Sequence, residues 1–495
     1  MSLPVSLYTS AQVRAMDRAA IETLGIAGYT LMERAGQAAL RCLRERWPSA
    51  WRITVVCGPG NNAGDGYVLA RLARSAGYAV TVLAATDPAR LRADALKACE
   101  AWRAGGGVIE PFAPRALETA EVLVDALLGT GLSGAVRNDL AQVIDAINAS
   151  GRAVLALDVP SGLDADSGLP LGAAVRAAST VTFVALKTGL FLGEGPEHCG
   201  PVQLDDLGLT GRLADPPAPR LERLISADLA RALPRRARAA HKGDFGHVLI
   251  VGGGPGMPGA ARLAGEACLR VGAGRVTVAV APQNAAAVIA ARPELMCVPL
   301  TDAQTVQTVA ARCDLIAVGP GLGQDAWARG ALEAALGCGK PLVLDADALN
   351  LIAAGAVGPA STARDWILTP HPGEAGRLLG LSGAAVQHDR LGALEALLAR
   401  YGGTVVLKGA GTLVGRQGAV PALCEQGNPG MASPGMGDVL TGVIAGLLAQ
   451  CRDPWRAARA GVLAHALAGD AAARGGERGL LAGDLIEELR RCVNF

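Results

Sequence analysis

Residues 246–274 read GHVLIVGGGPGMPGAARLAGEACLRVGAG: an apolar β-rich run, a glycine-rich turn, then an Ala/Leu/Arg stretch opening at Pro258. Proline fixes φ and lacks an N–H, which suits the first turn of a helix. The stretch therefore predicts strand, turn and helix. The turn does not spell a clean GxGxxG, so it is read as a close-packed loop whose backbone approaches a ligand, with Ala260 small for the same reason.

The same grammar continues outward on both sides. Downstream come RVTVAVA (275–281), LIAVGPG (315–321), PLVLDAD (341–347) and TVVLKG (404–409). Upstream lie ITVVC (53–57), AVTVLAA (79–85), EVLVDALL (121–128), AVLALDV (153–159) and TVTFVA (180–185), with helical spacing between them. Near-continuous apolar strands alternating with helices predict parallel sheets covered on both faces. One stretch breaks the alternation. LADPPAPRLERL (213–224) carries three prolines among small residues, so it is the linker candidate. The expected organisation is two α/β domains of three αβα layers, 1–220 and 221–495.

Composition agrees with enzymes of that class. The 495 residues are 51% hydrophobic but only 3% aromatic, so the cores must be built from Ala, Val, Leu and Ile. Lys+Arg (46) and Asp+Glu (45) nearly cancel, which leaves no electrostatic footprint for nucleic acid or an acidic membrane. Eleven cysteines without a CxxC pair read as reduced thiols used as small apolar residues. Charges break the opening stretch where a signal peptide needs an apolar run, and no apolar run of about 18 residues is visible elsewhere. A cytoplasmic protein, without membrane or nucleic-acid partners, is expected.

Two sets of strand ends carry chemistry. In the first half, CGPGNNAGDGYVLARLA (57–73) crowds Asn61, Asn62 and Asp65 at the end of a strand, ahead of a helix N-terminus that offers free N–H groups. VDALLGTGLSGAV (124–136) adds Asp125, and LDVPSGLDADSG (157–168) adds Asp158 and Ser161. Open α/β sheets bind ligands at such carboxyl ends. Singly, each aspartate also reads as a turn or cap residue. Together, Asn62, Asp125 and Ser161 are oxygen donors with one negative charge, a set suited to a weakly held hard monovalent cation; zinc would favour Cys or His.

The opening YTSAQVRAMDRAAIETLGIAGYTLMERAG, with GPGNNAGDG, DALLGTG and DVPSGLD, resembles the YjeF N-terminal family of NAD(P)H-hydrate epimerases over roughly residues 5–215. The resemblance implies a Rossmann-like fold. It implies substrate contacts at Asn61, Asn62, Ala63, Gly64 and Asp65 and along the loop Gly129, Thr130, Gly131, Leu132, Ser133, Gly134 and Ala135. It also makes Asn62, Asp125 and Ser161 potassium ligands and Asp158 a substrate contact and acid/base. MERAG departs from the family's MENAG at Arg34.

In the second half, GPGLGQD (319–325) ends a strand with Gly323 free to approach a ligand. LTPHPGEAGRL (368–378) holds His371 between two prolines, in a backbone kept away from helix. VVLKGAGTLVG (405–415) gives a strand, Lys408 and a turn ending in Thr412. NPGMASPGMGDVLTGVIAGLLAQ (428–450) runs a glycine-rich loop into a helix whose apolar stripe is Val439, Leu440, Val443, Ile444, Leu447 and Leu448. Asp438 then falls in the first turn, beside an anion hole bared by Gly435 and Gly437. A carboxylate beside a phosphate cradle would repel its ligand unless it abstracts a proton, so Asp438 reads as a general base; the bland alternative is a dipole-complementing helix residue.

KGAGT, TPHPGE and NPGMASPGMGDVLTG resemble the ribokinase-like superfamily, and within it the YjeF C-terminal NAD(P)H-hydrate dehydratases, over about residues 225–490. Pro434 stands where the family loop has glycine. The resemblance implies that Lys408, Gly409, Ala410, Gly411, Thr412 and Gly437 bind ADP with magnesium. It implies that Ala260, Gly323, His371 and Asp438 face a hydrated nicotinamide cofactor. A homo-oligomer is expected. Two alternatives stay open: a vitamin-type small-molecule kinase, and a non-catalytic scaffold built on the first domain.

Overall fold

The computed structural model describes residues 3–355 and 365–494. The chain divides into two units, Met1–Leu221 and Glu222–Phe495. Among the described residues no helix is long and apolar enough to cross a membrane.

In the first unit a parallel sheet runs, in spatial order, Glu110–Pro111, Ala79–Ala84, Arg52–Cys57, Val122–Ala126, Ala153–Leu157, Ser179–Phe183 and Val202–Asp205. Ile53 and Val55 enter one apolar cluster while Val56 enters another, the period-2 signature of a strand buried on both faces. The chain steps outward from Arg52–Cys57 and then returns to Val122–Ala126 on the other side. That reversal opens a crevice between the two strand ends. Asn62 lies in the first turn of the helix Asn61–Ser75 after one strand, and Asp125 lies near the end of the other.

The second unit repeats the device. Its sheet runs Leu221–Arg223, Ala422–Cys424, Thr412–Arg416, Thr404–Leu407, Trp366–Leu368, Leu342–Leu344, Leu315–Val318, His247–Val251, Arg275–Val280 and Met296–Pro299. The reversal falls between His247–Val251 and Leu315–Val318. The two loops leaving these strands are knitted together, Gly253 N–H to Pro320 O at 2.9 Å and Gly254 N–H to Gly321 O at 2.7 Å. A Cβ on Gly252 would stand 2.1 Å from Pro320 O, so only glycine permits this approach. Pro258 does open a helix, Pro258–Arg270.

Three expectations are corrected. The second sheet is not wholly parallel: Thr404–Leu407 pairs antiparallel with Thr412–Arg416, and that strand with Ala422–Cys424. Residues 408–411 are too few for a crossover, which needs a dozen or more, so KGAGT is a hairpin turn. The tail of the proline-rich stretch is a strand, Leu221–Arg223, paired parallel with Ala422–Cys424. Finally, the helix Met436–Cys451 buries every residue from Val439 to Ala449, not one stripe. It packs so close to Pro258–Arg270 that a Cβ on Gly442 would stand 2.0 Å from Ala264 O.

Candidate active sites

The first crevice opens into a cavity of about 630 Å³. Asn61, Asn62, Asp65, Gly129, Thr130, Gly131, Leu132, Ser133, Ala135 and Asp158 line it; Ala63, Gly64 and Gly134 do not. Ala63 is wholly buried, and a Cβ on Gly64 would meet Met32 Cε at 2.5 Å, so these two serve packing. Arg14 donates to Thr130 O at 2.7 Å and fixes the loop that forms one wall.

Behind the wall, Asp125 is fully buried. It accepts from Ser161 N–H at 2.8 Å, Ser161 Oγ–H at 2.5 Å and Leu127 N–H at 3.2 Å. Burial nevertheless pushes its carboxyl up to about 6, with the hydrogen bonds from Ser161 and Leu127 opposing. Asn62 turns its Nδ2 to Leu128 O at 3.0 Å, which leaves Oδ1 buried without a partner. A buried orphan acceptor beside a buried uncompensated carboxylate is the electrostatic setting for a cation.

Asp158 adopts φ +67°, an uncommon conformation for a residue with a side chain. It pairs with Lys187, which is 1% exposed and also donates to Thr182 Oγ1 at 2.9 Å and Phe183 O at 2.7 Å. All three ammonium hydrogens are thereby placed. Asp17 and Asp65 line the same cavity. Burial, with Asp158 adding to it, pushes Asp17 up to about 6 and Asp65 well above the carboxylate range, though Lys187 opposes both. The cavity thus combines an ion-paired aspartate with two carboxyls whose pKa is raised by burial. Asp17 and Lys187 were not singled out from the sequence. Their signals were faint: an aspartate inside VRAMDRAA and a lysine just past the TVTFVA strand.

In the second unit, Lys408, Asp438, Gly437 and His371 converge, together with Asp345 and Glu374, which the sequence reading passed over as site residues. Lys408 Nζ donates to Asp345 Oδ1 at 2.6 Å and stands 3.7 Å from Glu374. Thr441 holds the other Asp345 oxygen at 2.7 Å. A Cβ on Gly437 would lie 3.4 Å from Lys408 Nζ, so the helix N-terminus crosses directly over the ammonium. Burial pushes Asp438 up to about 7, with Asp345 raising it further and Lys408 opposing. His371 caps the helix Pro372–Leu379, its Nδ1 accepting from Gly373 N–H at 2.9 Å. Burial and then Lys408 hold it below its ordinary pKa, and its Nε2 lies 3.5 Å from Glu374 Oε1. Gly323 N–H is tied to Asp347 at 2.8 Å, and Ala260 sits in the first turn of Pro258–Arg270. Gly409 and Ala410 are exposed at the hairpin tip, while Thr412 Oγ1 turns back to Gly409 O at 2.8 Å.

Residues 28–189 match the YjeF-related protein N-terminus family, and residues 248–491 the NAD(P)H-hydrate dehydratase family. A bifunctional NAD(P)H-hydrate repair enzyme of Coxiella burnetii is 48% identical over 99% of both chains. Its namesake in Escherichia coli K12 is 44% identical over all of this chain and 95% of its own. The chain belongs to the bifunctional NAD(P)H-hydrate repair enzyme family. A solved ribokinase-like superfamily protein from Enterococcus faecalis, 31% identical, covers 55% of this chain and 95% of its own with a TM-score of 0.51.

For a bifunctional repair enzyme the two constellations divide in chemical kind. The first has an ion-paired aspartate and two carboxyls raised by burial around an open cavity, with a cation setting behind it. The second has a raised carboxyl at a helix N-terminus beside a glycine hairpin. Among the described residues no three His, Cys, Asp or Glu side chains form a ready metal cage.

Proposed function

We propose that the chain repairs hydrated nicotinamide cofactors: the first unit interconverts R and S NAD(P)H hydrates, and the second dehydrates the S form with consumption of ADP. The observation that carries this reading is that each sheet gathers its own acid/base carboxyl near the carboxyl ends of its strands, Asp158 paired with Lys187 in the first and Asp438 beside Lys408 and Asp345 in the second. A vitamin-type kinase would share only the second site. The match of whole-length repair enzymes to both units favours the bifunctional reading.

In the first unit the cavity residues Asn61, Asn62 and Asp65 and the loop Gly129–Ala135 hold the substrate. Asp158, oriented by its ion pair with Lys187, exchanges a proton with the hydrated ring. Inversion beside a ring nitrogen needs no redox step, only loss and return of a group on either face. The orphan Asn62 Oδ1 and the uncompensated Asp125 fit potassium, with Ser161 as the third ligand. Bound there, potassium supplies fixed positive charge next to the substrate.

In the second unit the Lys408–Thr412 hairpin and Gly437 hold the nucleotide, and Ala260, Gly323 and His371 face the hydrated ring. Asp438 takes the proton of the substrate hydroxyl, whose oxygen attacks the terminal phosphoryl group of ADP. AMP leaves, and the N–H groups around Gly435 and Gly437 stabilise the transferring charge. Phosphate is a far better leaving group than hydroxide. It departs with the C–O electron pair, pushed by the ring nitrogen's lone pair, and a proton lost from the neighbouring carbon restores the double bond. Asp345, Glu374 and Asp438 surround one ammonium, an excess of negative charge that fits magnesium arriving on the nucleotide phosphates. Bound there, magnesium neutralises those phosphates.

The test is recovery of reduced-cofactor absorbance from a mixture of both epimers. With ADP and the intact chain, recovery is complete. Without ADP it is absent, and recovery that ignores ADP contradicts the reading.

A further inference from the structure

Arg390, the first residue of the helix Arg390–Tyr401, is 6% exposed and lies beneath the 408–411 hairpin. Its Nη2 donates to Leu407 O at 3.1 Å, Lys408 O at 3.3 Å and Gly411 O at 3.2 Å. Its Nη1 reaches Gln387 Oε1 at 2.5 Å and Lys408 O at 3.3 Å, and its Nε is buried without a partner. No carboxylate is among these partners. Burial lowers its pKa to about 10, which still leaves a full charge at neutral pH. A buried guanidinium normally sits against a carboxylate, because an unpaired charge in a dry interior is costly. Here only peptide carbonyls and one amide meet it.

The carbonyls matter because of what lies behind them. In a trans peptide the C=O and the next N–H point in opposite directions. Turning Lys408 O inward to Arg390 therefore turns Gly409 N–H outward. The approach is tight: Gly409 has φ +132°, and a Cβ there would stand 2.9 Å from Arg390 Nη1. Successive outward N–H groups on a glycine turn make an anion-binding concavity. Among the described residues no protein acceptor takes the N–H of Gly409, Ala410 or Gly411.

We propose that Arg390 is a positioning residue for the nucleotide phosphates, orienting the hairpin's N–H groups toward them and supplying from beneath the positive charge that they balance. This deepens the reading that the hairpin binds a nucleotide and rests on it. It assigns a function to a residue that touches no ligand itself. Ligands should then feel Arg390 in proportion to their phosphate charge.

The experiment is calorimetric titration of the full-length chain and its Arg390→Gln and Arg390→Lys variants with ADP, AMP and adenosine. Arg390→Gln is expected to weaken ADP by about 10- to 100-fold, the scale of lost hydrogen bonds to a charged group, to weaken AMP less, and to leave adenosine unchanged. Arg390→Lys, which keeps the charge but not the fork, should recover part of the ADP loss. In turnover, KM for ADP should rise more than kcat falls. Epimerisation in the same preparation reports an intact first unit. Should Arg390→Gln not fold, Arg390→Lys alone must still weaken ADP more than adenosine. Equal weakening of all three ligands means a merely structural role and overturns the proposal, as does undiminished ADP binding by the variants. A parent chain that binds no ADP overturns the nucleotide reading itself.

Discussion

Lys408 Nζ lies 2.6 Å from Asp345 Oδ1, so the ammonium of the glycine hairpin is committed to a buried carboxylate before any ligand arrives. The hairpin's backbone, and not this side chain, is left to meet a phosphate. Asp345 and Lys408 also act oppositely on Asp438: the carboxylate raises its pKa and the ammonium lowers it, around a value of about 7.

That opposition gives a pH test. A general base works only when ionised, so dehydration should fall roughly tenfold per pH unit below 7. Asp345→Asn removes a negative charge that disfavours ionisation, so the acidic limb should move to lower pH, by about one unit. Lys408→Met removes a favourable positive charge and should move it to higher pH. A limb that stays put in both variants means that Asp438 is not the titrating group.

The two sites should be separable. Asp158→Asn is expected to slow epimerisation by about 10²- to 10⁴-fold, the usual worth of a placed acid/base, while S-hydrate dehydration persists. Asp438→Asn should do the reverse. Chiral separation of the hydrates before and after reaction reads both activities in one sample. Loss of both from one substitution, in a chain that stays folded, contradicts the two-site account.

Asn62 and Asp125 test the cation. Asn62→Ala removes the orphaned acceptor and Asp125→Ala the buried charge, and each should weaken potassium binding in the first unit. Diffraction from crystals grown in rubidium salt should show an anomalous peak beside Asn62 Oδ1 in the parent chain and none in Asp125→Ala. A parent map without the peak removes potassium from the account.

Much of the fold was legible because parallel strands buried on both faces leave long apolar runs. ITVVC and HVLIV could hardly be anything else. The short strands Glu110–Pro111, Met296–Pro299 and Ala422–Cys424 show why legibility faded: two to four paired residues leave little or no periodicity to read. The site was legible where chemistry sits on a motif, as with Asn62 and Asp438. Lys187, Asp345 and Arg390 were not, because each gains its meaning from partners 18 to 63 residues away in sequence, as Arg390 does from Lys408 and Asp345 from Lys408. Helix Met436–Cys451 failed differently. Its glycines face a neighbouring backbone, a contact that leaves no apolar mark on the sequence.

The central claim is that the second site makes hydroxide leave by phosphorylating it, and one isotope decides that. S-hydrate carrying oxygen-18 in its ring hydroxyl, turned over with ADP, should give AMP and phosphate in equal amount to the cofactor restored. The label should appear in the phosphate. Label found only in bulk water would make the nucleotide an effector, and the phosphoryl-transfer account would be wrong.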